Sequence, residues 1–165
     1  EFEVRKDPRI PATQEDLQAQ FDLLMRVRDK ISETHDAVNQ VMSVKKQVDE
    51  WVDRAAANGA REAVTMAADK LKGKLSAIAE KLIQDKTIDG LDRISQPARL
   101  TSKIREMSYV PSTADYAPTR QSYDVFDDIS ARLGDQFEAL KDVIDNDLPK
   151  FLEVVHELEV PAIRA

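Results

Sequence analysis

Neither proline nor glycine interrupts residues 13–57, and apolar residues recur along one side of that stretch. Written as heptads, this side comprises three rows: Leu17, Leu24, Ile31, Val38, Lys45 and Val52; Gln20, Val27, Thr34, Val41, Val48 and Ala55; and an edge row of Phe21, Arg28, His35, Met42 and Asp49. A wide apolar side that repeats about every 3.5 residues is typical of a helix that packs in a bundle. Because most helical stability comes from packing, we predict that other helices cover this side.

Both ends of this long helix carry boundary signals. Thr13 can cap the N-terminus, and Asp16 follows at the spacing of a capping box. Asn58-Gly59 suits a left-handed turn after the C-terminus. A connection this short predicts that the next helix folds back as an antiparallel neighbour. Trp51, the only tryptophan, is then expected to bury its ring against small residues around 64–68. The alternative is a half-exposed ring at the edge of the apolar side.

Three further helices are predicted, over about residues 60–84, 97–109 and 119–159. Their inward residues are Val64, Ala67 or Ala68, Leu71, Leu75, Ile78 and Leu82; Leu100, Ile104 and Met107; and Phe126, Ile129, Leu133, Phe137, Leu140, Ile144, Leu148, Leu152 and Val155. Leu24 and Leu133 lie midway along the two longest apolar sides. Pro149 removes a backbone hydrogen bond and crowds the preceding turn, so we expect a kink over 145–148.

These elements predict an all-α fold, an elongated antiparallel up-down bundle of three to four helices at 13–165, with an extended segment at 1–12. Phe2 and Val4 alternate with charged residues, as in a strand. The favoured interpretation is the last strand of a preceding β domain, and the alternative is an arm packed on the bundle. Two helix arrangements fit: four arms, or a three-arm rod whose middle arm contains the second and third helices. The four-arm arrangement is preferred.

Charge and residue usage argue against several functional classes. The 165 residues carry a net charge of −7, which disfavours nucleic acid as a partner because phosphate binding requires a basic surface. The absence of cysteine excludes disulfides and thiolate chemistry. No apolar run approaches the ~18 residues that a membrane-spanning helix needs, so we expect no membrane span.

Metal chemistry has weak support in the sequence. Glu153 and His156 have the glutamate–histidine spacing of a di-iron carboxylate site. Such a site needs a second pair, but Ser32 stands where the glutamate before His35 would belong. Residues 85–90 resemble the start of a calcium loop, yet Gln96 stands where the bidentate glutamate belongs. We therefore expect no metal, no cofactor and no catalytic residue. The most distinctive stretch, 114–123, provides three candidate interaction residues, Tyr116, Arg120 and Tyr123; its alternative role is a loop packed down by its tyrosines.

Four segments spread over nearly the whole chain suggest a family. They are Val4-Arg5-Lys6-Asp7-Pro8-Arg9, Asp16-Leu17-Gln18-Ala19-Gln20-Phe21, Ala117-Pro118-Thr119-Arg120-Gln121-Ser122-Tyr123 followed by Phe126 and Leu133, and Val160-Pro161-Ala162-Ile163. Together they resemble the C-terminal region of bacterial BNR-repeat glycosyl hydrolases, which have sortilin-like β-propellers. The resemblance implies an accessory helical domain whose partners are a preceding propeller and β domain, and a secreted or periplasmic parent. No Asp-box motif occurs, so no catalytic residue carries over.

Three functions follow as hypotheses. The first is a non-catalytic C-terminal helical domain of such a hydrolase, with a role in interaction or structure. The second is a stand-alone coiled-coil-like adaptor that self-associates. Outside the parent chain, the expected partner is another protein or a second copy in a homo-oligomer. The third is a metal-binding helical bundle.

Overall fold

In the computed structural model, residues 5–56, 59–84 and 97–162 are described, and within these ranges there are helices and no strand. The helices are α1 (Gln14–Ala55), α2 (Arg61–Leu82), α3 (Leu100–Glu106), α4 (Arg120–Asp142) and α5 (Leu148–Glu157). A 3-10 turn spans Val110–Ser112, and a π-helical turn spans Val143–Asp147. The predicted all-α helical bundle is confirmed. Phe2 and Val4 of the predicted strand lie outside the described residues.

α1 begins at the capping box that the sequence predicts. The backbone N–H of Thr13 donates to Oδ2 of Asp16 at 2.8 Å, and the backbone N–H of Asp16 donates to Oγ1 of Thr13 at 3.1 Å. Both bonds satisfy N–H groups that have no partner inside the helix. Beyond the other end, Gly59 has a φ of 79°, a conformation that glycine adopts without strain. Asn58 lies outside the described residues.

The buried side of α1 is centred on the second predicted row. Its buried residues are Leu23, Val27, Thr34, Val41, Val48 and Ala55. The predicted edge row is wrong, because Phe21 and Met42 are 54% and 57% exposed and the other members of that row are exposed as well. The opposite edge, which contains Leu23, faces the core instead. Leu24 is half-buried, so its predicted place in the centre of the core is also wrong.

α2 folds back along the C-terminal half of α1, as predicted. Nζ of Lys72 donates to Oδ1 of Asp49 at 2.7 Å, and Nζ of Lys45 donates to Oγ of Ser76 at 3.0 Å. Each pair is equidistant from the turn, as antiparallel neighbours require. The predicted inward side is confirmed, with Val64, Ala68, Leu71, Leu75, Ile78 and Leu82 all buried.

Trp51 lies at the edge of the core. Its side chain is partly buried and packs against the core residues. The Arg54 guanidinium carbon lies 4.8 Å from the ring centre, a cation–π geometry. Trp51 therefore lies between the two predictions, because it packs against the core as expected but part of its surface stays exposed.

The helices form three arms, so the preferred four-arm arrangement is wrong. Oγ1 of Thr101 donates to the carbonyl oxygen of Leu82 at 2.6 Å, which places α3 directly after α2. The chain after α3 continues towards the start of α1, where Nε2 of Gln20 donates to the carbonyl oxygen of Ala114 at 2.8 Å. α2 and α3 therefore share the middle arm. The reason is length, since 22 residues of α2 cannot cover the 42 residues of α1.

The third arm consists of α4, the π-helical turn and α5. Arg26 pairs with Asp127 at 3.0 Å, and residues 33–40 of α1 face residues 137–144 further along, so α4 runs parallel to α1. Lys74 pairs with Asp147 at 2.6 Å, and the start of α2 faces the end of α5, so these two helices are antiparallel. The core lies between the three arms.

Pro149 is accommodated by the π-helical turn. The backbone N–H of Leu148 donates to the carbonyl oxygen of Val143, one residue further back than in an α-helix. Beyond this turn Phe151 is inward and 2% exposed, whereas Leu152 is 42% exposed, so the prediction that Leu152 faces inward is wrong. By α-helical periodicity Phe151 follows the buried Leu133 by 18 residues, or five full turns, whereas Leu152 lies a further 100° around the helix.

α5 ends in a Schellman motif. The backbone N–H of Val160 donates to the carbonyl oxygen of Val155 at 3.2 Å, and that of Glu159 donates to His156 at 3.0 Å. Glu159 has a φ of 50°, the left-handed conformation that glycine usually supplies at this position. Burial of Val160 against the core favours this turn despite the strain at Glu159.

Candidate functional site

The three predicted interaction residues lie at the N-terminal entry of α4 but face different surroundings. Tyr123 is partly buried and packs against the core. The Arg120 side chain is 90% exposed, with Nε 3.8 Å from Oδ2 of Asp124. The Tyr116 hydroxyl lies 3.5 Å from the carbonyl oxygen of Val110, on the preceding loop. These residues do not converge on one cavity, and their role in binding stays a prediction.

The loop at 109–116, here called the tyrosine loop, exposes several apolar side chains. Tyr109 is 71% exposed and Val110 is 53% exposed. Gln20 holds the loop against α1 through hydrogen bonds to the carbonyl oxygens of Pro111 and Ala114. The tyrosine loop is therefore a fixed surface with exposed apolar groups.

An apolar groove with a volume of about 690 Å³ lies between α2 and α5. This surface, here called the α2–α5 groove, is lined on α2 by Ala63, Met66, Ala67, Lys70, Leu71 and Lys74. Across it stand Asp147, Lys150, Phe151 and Val154. Phe151 and Leu71 are each 2% exposed and form the floor, whereas Met66 is 62% exposed and forms part of the wall. A concave apolar surface with a few polar groups at its rim is typical of a binding site.

The rim of the groove is basic although the protein as a whole is acidic. Nζ of Lys74 donates to Oδ2 of Asp147 at 2.6 Å, and the Asp147 side chain is only 18% exposed. Neither Lys70 nor Lys150 has a carboxylate partner among the described residues. Among the described residues, the rim therefore carries two lysines outside any ion pair, in a chain with a net charge of −7.

The corresponding surface between α1 and α4 differs in chemistry. It has a volume of about 450 Å³, and its lining includes Glu33, Asp36 and Asp145 together with Lys141. Carboxylates predominate in this lining, whereas lysines predominate at the rim of the α2–α5 groove.

Two side chains outside this groove, Asp7 and Lys72, have pKa values shifted by a neighbouring charge. Hydrogen bonds from the Arg9 side chain lower the pKa of Asp7, in the segment before α1. The hydrogen bond to Asp49 raises the pKa of Lys72, which joins α1 to α2. Both groups pair with a neighbouring charge, so neither indicates a general acid or base.

The residues considered for metal binding are not gathered into a site. Glu153 and His156 are exposed on α5, and His35 is exposed on α1. Within the three described ranges, no three His, Asp or Glu side chains are placed to hold a metal ion together. The calcium-like stretch at 85–90 lies outside the described residues. Of the helices in the described part of the chain, none is both long and apolar enough to cross a membrane.

Comparison with known proteins identifies no relative: no family model matches the chain, and no curated protein or solved structure matches it. The α2–α5 groove was also missed by reasoning from the sequence. Two signals for it exist, namely the small residues Ala63 and Ala67 one turn apart, and Lys70 and Lys74 at the same spacing. Both pairs lie on the edge of α2 beside its apolar side.

Proposed function

We propose that this chain is a non-catalytic helical interaction domain that binds a protein partner in the α2–α5 groove. The observation that carries the proposal is the combination of an apolar floor, Leu71 and Phe151, with an exposed methionine, Met66. Methionine is flexible and adapts its shape to a bound surface, so it is common at sites that receive another protein. Hydrophobic side chains at the centre with charges at the rim are usual in protein interfaces.

We further propose, from the sequence resemblance, that the parent protein is a BNR-repeat glycosyl hydrolase with this domain at its C-terminal end. In that setting the preceding β-propeller and β domain are partners in the same chain. The tyrosine loop supports a contact with them, because Tyr109 and Val110 are exposed at the end of the rod where α1 begins. A secreted or periplasmic location follows from the same resemblance.

The groove can be tested by site-specific photocrosslinking in cells that produce the protein. The photoreactive residue p-benzoylphenylalanine replaces Met66 in the groove or Met42 on α1, which is similarly exposed at 57% against 62%. We expect a discrete adduct from position 66 and none from position 42. Equal labelling at both positions, or labelling only at Tyr109 in a third variant, would contradict a groove-centred function.

The non-catalytic part of the proposal has its own assay. The purified 165-residue chain is incubated with aryl glycosides of common sugars, beside a heat-unfolded sample. We expect the same background release of the aryl group from both samples. Turnover that co-purifies with the folded chain would overturn this part of the proposal and leave the groove result unaffected.

A further inference from the structure

We infer that the α2–α5 groove binds an amphipathic helix that carries acidic residues beside its apolar face. This inference rests on the proposed function and names the chemistry of the partner. It is carried by the shape of the groove and by the two rim lysines that have no carboxylate partner among the described residues.

The length of the groove matches a short helix. Its α2 wall extends over residues 63–74, which at 1.5 Å per residue corresponds to about 16 Å or three helical turns. Ala63 and Ala67 are small, so a helix backbone can approach α2 closely at that end. Apolar side chains at the i, i+3, i+4 and i+7 positions of such a helix would reach Leu71 and Phe151 on the floor.

The charges of the groove specify which helix fits. Lys70 and Lys74 are one turn apart on α2, and Lys150 stands on the opposite wall. Asp147 already neutralises Lys74, so Lys70 and Lys150 remain for a ligand. Carboxylates on both flanks of a bound helix would each meet one lysine, and opposite charges at an interface rim favour association and select the partner.

A second copy of this chain is a poorer occupant. Two copies that met symmetrically through their grooves would present the same surface to each other. Lys70 and Lys150 would then lie close to the corresponding lysines of the second copy, and like charges disfavour such a pairing. A fatty acid would engage only one of the two rim lysines through its single carboxylate, and palmitate therefore serves as the competing ligand in the test below.

The test uses the complete 165-residue chain and three fluorescent helical peptides. The peptides share one apolar face and differ only at two flanking positions, which are Glu, Gln or Lys. Fluorescence anisotropy at low salt should show binding of the Glu peptide about tenfold tighter than the Lys peptide, the difference expected for two exposed charge pairs. The preference should fade near 1 M salt, where charges are screened beyond about 3 Å.

Charge reversal locates the site. The double variant Lys70→Glu/Lys150→Glu should reverse the order, with the Lys peptide now bound more tightly. The control Lys46→Glu/Lys141→Glu changes net charge equally at exposed lysines outside the groove and should keep the original order. Circular dichroism checks that both variants are folded, and the wild-type comparison of three peptides stands without either variant.

Each remaining outcome decides against the inference in a distinct way. Equal affinity for all three peptides would mean that the groove selects by apolar contact alone. Binding of palmitate without binding of any peptide would assign the groove to a lipid. If the position-66 variant still forms an adduct in cells, either of these two results would overturn only the acidic helix and leave the proposed function standing. Loss of both the adduct and the peptide binding would overturn the two together.

Discussion

Replacement of Leu23 by alanine tests which edge of α1 faces the core. Leu23 is fully buried. The substitution removes three carbon atoms, which at about 0.8 kcal/mol each corresponds to about 2.4 kcal/mol of lost burial. A remaining cavity of about 50 Å³ would add about 1.2 kcal/mol. The expected loss of stability is therefore about 3.6 kcal/mol, within the usual range for a buried Leu→Ala substitution.

Two neighbouring substitutions serve as controls. Leu24 is partly buried at the edge of the core, so Leu24→Ala loses most of the burial energy but leaves no closed cavity, a cost of about 2 kcal/mol. Phe21 is 54% exposed, and Phe21→Ala should cost less than about 1 kcal/mol despite the larger side chain. The three variants differ by position along one turn of the same helix.

Urea denaturation followed by far-UV circular dichroism measures the differences. The midpoint should fall furthest for Leu23→Ala at an unchanged slope, because a change in slope would report an altered denatured state. In thermal melts, Leu23→Ala should lower the Tm by about 7–14 °C, since about 2–4 °C accompanies each kcal/mol in a chain of this size. A larger loss for Phe21→Ala than for Leu23→Ala would refute the assignment of the buried edge.

Three further substitutions probe other parts of the rod. Leu133→Ala, at a fully buried position of α4, should cost about 3–4 kcal/mol in urea denaturation, and an unchanged midpoint would contradict the inward face of α4. Glu159→Gly should stabilise the chain by about 1 kcal/mol in thermal melts, because glycine adopts the positive φ of 50° without strain. The control Glu159→Ala should show no such gain. Equal effects of the two substitutions would argue against strain at this turn. Asp49→Asn should cost less than about 1 kcal/mol at neutral pH, because the Asp49 side chain is 59% exposed. Asp49 raises the pKa of Lys72, so the stabilisation is complete below the ordinary lysine pKa of 10.5 and disappears as the pH rises through the raised value; a difference that persists in more alkaline urea titrations would show that charge is not its source.

Local signals in the sequence predicted the helices well. The capping box at Thr13 and Asp16 and the inward side of α2 depend on residues close together in the chain, and both are confirmed. The buried edge of α1 was open to the same reasoning. One edge contains Leu23, Ala37, Val44 and Trp51, whereas the edge that was chosen offers only Phe21 and Met42 as apolar residues.

The groove depends on information that helical periodicity does not contain. Periodicity alone places Phe151 on the inward face, because it follows Leu133 by 18 residues, or five turns of an α-helix, so the choice of Leu152 was an error of phase. Periodicity does not give the pairing of α2 with α5, which brings Met66 and Phe151 to the same groove. A proline indicates that the helix is disturbed, but it does not determine whether a kink or an extra residue in the turn results. The candidate site therefore required the tertiary structure.

The odd number of arms has a mechanical consequence. An even number of antiparallel arms returns the chain to the end at which it entered, whereas three arms carry it from one end of the rod to the other. With 42 residues in α1, the start of α1 and the end of α5 lie on the order of 60 Å apart. Tension between these two points would act along the helix axes, so that the arms would have to slide past one another in shear before separating. The domain can therefore serve as a stiff spacer, with the α2–α5 groove near the end remote from residue 14.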